Sequence, residues 1–518
     1  MEGSVWQGAD GECAAALRCV FSWLRARELW RCAGVCSAWR AVALDDALWR
    51  RALRPNTPPA VVRAFAAAAA ADRHGQENSL KWSWRHEFML SSVRWERRGR
   101  LAAHGPLLHA ALAPAARRLA LLAEDASISI WEKNEGESWR ESWSGSVMAR
   151  GWRRAETAQW AAAGGRLLLA GPLALSDRWE LAVLQRDDDE DTWRVVCRAD
   201  AGAGGAACWA SAAAFLTPRL QLLAPGLALT TVWLNTVSQE ARSEYSGVTT
   251  PLLRIFNESA AHISHIAMTE MPSVPIDTPV DDDVKEEYGP RAEYYIAVSA
   301  TNTSQENADR ILVAAMGDVG GPRGESHALG AWRVRAEALR PPPLLAGAGL
   351  AERVRRRRLA RALPDREESP PPDEDTVRAL CTAPDDVCSL GAQVLGLVIH
   401  NRGSCIWVST ACGATCVTLP TLRRVLRVSL PHAPPPAALP HYVTPDVNDD
   451  FFVTPEGGGS GVVRVVAARS GVRGAALSHA APALAALLPT ATSAPASAVL
   501  LVLATDAIHI WEGTRLPL

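Results

Sequence analysis

Phenylalanine and tyrosine are scarce in this 518-residue chain: 7 and 5, against 20 tryptophans. So lopsided an aromatic content points to a repeat protein that reuses one Trp position per unit. Long hydrophobic runs are missing as well. No segment offers about 18 uninterrupted apolar residues, so no membrane-spanning helix is expected. The alanine run 66–71 is too short, and the stretch 475–504 is broken by Ser478, His479, Pro482, Pro489 and Pro495. Nor does one sign of charge dominate: 54 Lys and Arg against 56 Asp and Glu leave −2, and no global basic field calls for nucleic acid. The 11 cysteines are an odd number and include no C-x2-C pair, which argues against both a disulfide framework and zinc. The start, MEGSVWQGADGEC, is polar and acidic rather than a leader-like apolar stretch. We therefore expect a soluble cytoplasmic protein without metal, cofactor or membrane partner.

Length suggests about three structural units. Residues 13–53 carry helical periodicity: Leu17, Val20, Phe21 and Leu24 fall at i, i+3, i+4 and i+7. A second apolar run begins at Leu29, and a third extends from Val35 through Trp39 and Val42 to Leu48 and Trp49. Three short helices cannot bury every apolar face alone, so the unit should lean on a partner. From about residue 96 the period becomes two. Arg118-Leu119-Ala120-Leu121-Leu122-Ala123 leads through Glu124-Asp125 into Ser127-Ile128-Ser129-Ile130-Trp131, a strand, tight turn and strand. The form returns near the end, where 499–504 leads through Thr505-Asp506 into Ile508-His509-Ile510-Trp511. There Asp and Trp stand one residue closer, so the turn must differ. Further strand-like stretches cover 159–170, 179–184, 227–233, 294–298, 394–408 and 462–466.

Two segments interrupt the pattern. One, acidic and Pro-bearing, contains Asp281-Asp282-Asp283 and Glu286-Glu287. The other joins a Pro triplet, a basic block (Arg353, 355–358, Arg361) and Pro370-Pro371-Pro372. Neither has the apolar content to offset the entropy of ordering. The basic block reads as a solvated segment, with nuclear localisation or RNA binding as the alternative. Gly457-Gly458-Gly459-Ser460-Gly461 lacks the following Lys of a phosphate cradle, and 187–191 reads as a charged hairpin loop. His262-Ile263-Ser264-His265 has no acidic partner spacing. No nucleophile–base constellation can be assembled, so no catalytic residue is expected.

The helical part resembles an F-box. Val20-Phe21-Ser22-Trp23-Leu24, Glu28-Leu29, Val35-Cys36-Ser37-Ala38-Trp39 and Leu48-Trp49 match that pattern without gaps, while Glu12-Cys13 replace its opening Leu-Pro. The strand half resembles WD repeats: His104-Gly105, Asp125 and Trp131 follow the order of His-Gly entry, turn Asp and closing Trp, and Trp233, Asp506 and Trp511 keep parts of it. Ser83-Trp84-Arg85-His86-Glu87-Phe88 and the blocks Cys208-Trp209, Val232-Trp233-Leu234-Asn235 and Leu253-Arg254-Ile255 are similar to F-box/WD-repeat proteins. That resemblance implies a mainly β fold with an N-terminal all-α unit: a three-helix F-box and a WD40-type β-propeller. At about 40–45 residues per blade, seven blades fit. The expected domains are an F-box over 1–55, a helical linker over 56–95, the first propeller section over 96–340 with an acidic insertion at 269–290, a disordered insertion at 341–378, and the remaining blades over 379–518.

By the same resemblance the protein is a non-catalytic substrate receptor of a cullin–RING ubiquitin ligase, acting by proximity. Leu17, Val20, Phe21, Leu24, Leu29, Val35, Cys36 and Trp39 would bind a Skp1-type adaptor joined to a cullin-1 scaffold. His104, Asp125, Trp131, Trp233, Asp506 and Trp511 would fix blades, and the propeller would hold a protein substrate. The family's route to a cullin-4 adaptor uses a Trp-Asp-x-Arg motif. Val465-Val466-Ala467-Ala468-Arg469 keeps only the Arg, so that partner is not carried over. The competing reading is a propeller scaffold whose degenerate F-box recruits no ligase.

Overall fold

A computed structural model describes residues 12–53, 84–102, 105–134, 138–187, 192–224, 227–237, 249–257, 262–271, 308–317, 327–340, 373–400, 405–429, 443–457, 459–489 and 497–514. The chain begins with helices α1 (Glu12–Phe21), α2 (Ala26–Ala33), α3 (Ser37–Ala43) and α4 (Asp46–Leu53). The third apolar run of the sequence is thus two helices, divided at Leu44-Asp45, where Asp45 Oδ1 accepts from Ala47 N–H at 3.0 Å and starts α4. Helix α5 (Trp84–Ser91) follows and leads into strand Arg94–Ala102.

The remainder forms seven four-stranded antiparallel sheets, a seven-bladed β-propeller. Blades 1 to 6 span 107–146, 157–201, 208–257, 262–389, 394–429 and 446–478. Blade 7 takes three strands from 483–514 and its outermost strand from Arg94–Ala102, which pairs with Ala507–Thr514 from Arg94↔Thr514 to Ala102↔Ala507. This seam removes the open edge that a linear array would leave. Each blade buries its second strand on both faces, as in Arg118–Ala123, and alternates at its rim, as in Trp139–Ser146. The core lies between blades: separate apolar clusters fill the junctions 1/2, 2/3, 3/4, 4/5, 6/7 and 7/1, and the 5/6 junction shares its cluster with the helices.

The tryptophan excess finds its use here. Trp160 Nε1–H donates to Ala111 O (2.9 Å) and Trp209 Nε1–H to Gln159 O (3.0 Å), each stitching a blade to its predecessor. Trp407, fully buried, stacks on Phe452 at 4.3 Å across blades 5 and 6. The two similar hairpins also differ as expected. Ala126 takes the left-handed region (φ 65) in a three-residue loop, while Thr505-Asp506 close a two-residue loop at the pair Ala504↔Ala507.

Boundaries shift where partners lie far away in sequence. The propeller begins at Arg94 rather than 96, because a largely polar strand is recruited by the far end of the chain. Thr269 and Glu270, read as the start of the acidic insertion, belong to strand His262–Glu270; residues 272–307 lie outside the described residues. Within the segment expected to be disordered, α6 (Glu374–Ala379) is capped by Asp373 and buries Val377 against Leu227 and Leu229 of blade 3. The stretch 159–170 is the end of one strand, a turn and a second strand, and 394–408 likewise touches two strands. His104, the basic block and 294–298 fall outside the described residues.

Candidate functional site

Each helix of the N-terminal unit has a local cause. Glu28 accepts from Arg25 N–H (2.8 Å) and so starts α2. Cys36 caps α3, its Sγ accepting from Trp39 N–H at 3.5 Å. Arg18 pairs with Asp45 at 2.7 Å, and Arg40 Nε–H donates to Ala33 O at 3.0 Å, tying the short helices together. Sulfur is a poor acceptor beside a hydroxyl, so Cys36→Ser is expected to stabilise the unit by up to about 1 kcal/mol. A rise in the helical melting temperature checks this; a fall would show that the cap is not the controlling contact.

The eight residues expected to bind an adaptor divide into three groups. Phe21 and Leu29 are interior, at 2% and 0% exposure, and Phe21 meets Trp39 edge-on at 5.2 Å. Leu17, Leu24 and Trp39 are half-buried around them. Val20, Val35 and Cys36 face solvent, Val20 at 59% and Val35 at 62%. Two residues that periodicity passed over join the exposed set: Trp23, 78% exposed with Arg51 over its ring at 5.4 Å, and Leu44. The signal for Trp23 was a large aromatic standing off the apolar stripe. So dense a run of exposed large apolar side chains marks an interaction surface.

The opposite side of the unit is closed. Trp49, fully buried, donates from Nε1–H to Ala43 O (2.7 Å) and packs on Phe88 of α5 at 5.1 Å. Asp46 Oδ1 accepts from Trp84 N–H at 2.6 Å; burial raises its carboxyl pKa above the usual value against that bond. Within α5, Glu87 is 2% exposed and accepts from Ser470 Oγ–H (2.5 Å) in blade 6, and burial against the propeller raises its pKa. His86 lies 3.5 Å from Asp450. Arg469, the residue kept from the Trp-Asp-x-Arg pattern, donates to Asp449 O (3.2 Å) beside this seat. Residues 448–450 and 468–472 are turns between first and second, and third and fourth, strands of blade 6. The helices therefore attach to the propeller face bearing those turns.

The blade-fixing residues are placed unevenly. Asp125 Oδ1 accepts from Ser127 N–H (2.9 Å), and Trp131 Nε1–H donates to Ser129 Oγ (3.0 Å) within its own strand. Half-buried Trp233 lies under Arg219, 6.0 Å from its ring centroid. In blade 7, Trp511 Nε1–H donates to His479 Nε2 (3.1 Å), whose Nδ1 contacts Gly461 O at 2.9 Å; that pair of contacts puts the proton on Nδ1. The His479 ring lies 4.8 Å from that of His509, whose Nε2 is 3.7 Å from Asp506. His479 and His509 thus complete what Asp506 and Trp511 alone suggested. Among the described residues no group of three or more His, Cys, Asp or Glu could hold a metal ion, and no helix is long and apolar enough to cross a membrane.

An F-box-like family matches residues 16–55. An F-box-like domain followed by a seven-bladed propeller fits an F-box/WD-repeat protein. No curated protein matches the chain in sequence. Among solved structures it is similar to the crystal structure of Saccharomyces cerevisiae Sqt1, with 11% identity, a TM-score of 0.44, and coverage of 82% of this chain and 100% of that one.

Proposed function

We propose that the chain is the substrate-recognition subunit of an SCF-type cullin–RING ubiquitin ligase, of the kind of F-box/WD-repeat protein 5. The observation that carries this reading is the divided helical unit: one side seated on the propeller through Trp49, Trp84, Glu87 and Phe88, the other offering Val20, Trp23 and Val35 to solvent. A Skp1-type adaptor covers the open side and links it to cullin-1, while the propeller holds a protein substrate. The subunit does no covalent chemistry; it raises the effective concentration of a substrate lysine beside a charged conjugating enzyme. By the same resemblance we place it in the cytoplasm, with the nucleus and centrosome as further sites, and take proteins of centriole duplication or growth signalling as its candidate substrates.

Co-purification of the full chain with a Skp1-type adaptor and cullin-1 tests this. Wild type captures both, and Val20→Asp with Val35→Asp weakens capture by roughly a hundredfold or more, because each change forfeits apolar burial and buries a charge. The helical circular dichroism of that variant stays as in wild type, since both side chains are exposed in the free protein. Failure of the wild type to capture adaptor leaves the scaffold reading instead.

A further inference from the structure

On the face opposite the helices, the connection from blade 1 to blade 2 (147–156) meets the turn between the second and third strands of blade 2 (173–178). Trp152 bridges Leu173, Arg153 N–H donates to Pro172 O (2.9 Å), and Ala174 N–H donates to Gly151 O (2.8 Å). Gly171 admits no side chain, for a Cβ there would stand 2.1 Å from Arg154 O. The two segments are locked together by backbone.

This fixed frame turns two apolar side chains outward, Met148 at 64% and Leu175 at 101% exposure. The cations around them are unequal. Arg178 pairs with Asp200 (3.0 Å), Arg154 with Glu156 (2.9 Å), and Arg198 with Glu180, which also accepts from Trp152 Nε1–H at 2.6 Å. Arg150 and Arg153 form no ion pair among the described residues. Arg150 is exposed to solvent beside the Arg198 charge; partial desolvation, and after it that like charge, lowers its pKa. A guanidinium held in that situation gains when an anion arrives.

We propose that this surface docks an acidic protein segment bearing one apolar side chain, with its carboxylates on Arg150 and Arg153 and its apolar group between Met148 and Leu175. Glu156 and Asp200 neutralise Arg154 and Arg178, and exposed Asp177 adds a negative charge. The patch thus offers a continuous sheet of lipid phosphate no unbroken positive field, whereas a peptide sets its charges only opposite Arg150 and Arg153. The proposal rests on the receptor reading for naming that segment a ligase substrate, not for the binding itself.

Fluorescence anisotropy on the full chain at low salt tests it. The probe is a labelled heptapeptide of Glu and Asp around a central Leu, compared with its Ala-centred and Lys-for-acid forms and with phosphatidylserine vesicles. Wild type should bind the acidic Leu peptide, weaken by roughly tenfold with the Ala-centred form, and ignore the basic one. Arg150→Glu with Arg153→Glu should cost tenfold or more, and Met148→Ser with Leu175→Ser roughly tenfold, with unchanged melting and unchanged adaptor capture. No peptide binding by wild type, equal binding by the variants, or Arg-dependent binding of vesicles in place of peptide overturns the proposal. Loss of adaptor capture with peptide binding intact sinks the receptor reading alone.

Discussion

Trp49→Ala is expected to destabilise the helical unit by about 3–5 kcal/mol, the cost of emptying a fully buried tryptophan site. The indole holds three things at once. It donates to Ala43 O, meets Trp30 edge-on at 6.3 Å, and packs on Phe88 at 5.1 Å, where α4 sits on α5. Its loss therefore loosens the small core and also its seat on the propeller. Calorimetry of the full chain should show a helical transition split off to lower temperature, with the main propeller transition little changed, and adaptor capture should fall with the helical signal. A single transition at the wild-type temperature would show that Trp49 does not join the helices to the propeller. Phe21→Ala with Trp39→Ala should act in the same way, because Phe21 is interior. Val20 and Val35 separate binding from folding, and those two cannot.

The second large effect is a pH response built from two opposed half-buried groups. Burial holds His265 neutral, its pKa lowered from 6.5 to about 4, with the His327 charge adding to the effect. Its folded pKa lies below the unfolded one, so its contribution to stability is present above pH 6.5 and is lost as pH falls towards 4. Burial raises Asp446 from 3.8 to about 6, although its carboxylate accepts from Leu488 N–H (2.7 Å) and Val447 N–H (2.8 Å). Its contribution is present below pH 3.8 and is lost as pH rises through about 6. Each shift of about two units is worth roughly 3 kcal/mol, and between pH 4 and 6 the two nearly cancel. Denaturant titrations across that range should show His265→Gln gaining stability relative to wild type on acidification and Asp446→Asn losing it. Parallel curves for all three proteins would remove both groups from the account.

The fold was legible because its signals are local. Helix periodicity over 13–53 and strict alternation at 127–131 need no knowledge of distant neighbours. What stayed hidden depends on distant partners. Val20 and Phe21 are adjacent on one apolar stripe, yet Phe21 is buried and Val20 open, since the packing of α3 decides which side of the stripe is core. Strand Arg94–Ala102 reads as a polar, arginine-rich run whose only deeply buried side chain is Trp95; its place is set by residues some four hundred positions later. Helix α6 is too short to show a period, and Val377 is covered by Leu227 and Leu229 from another blade. His479 was invisible as a blade-fixing residue because the hydrogen bond from Trp511 depends on how blades 6 and 7 meet.

The placement of α5 immediately before the strand that shuts the ring has a mechanical side. Any tug on the helices is delivered to the loose end of the Arg94–Ala102 ladder, where the pairs would open in succession from Arg94↔Thr514 inward. The Glu87–Ser470 bond and the apolar packing beside it act as a strain relief, passing that load to blade 6 before it can unzip the clasp. A rigid arm and an unbroken ring are therefore secured by the same few residues.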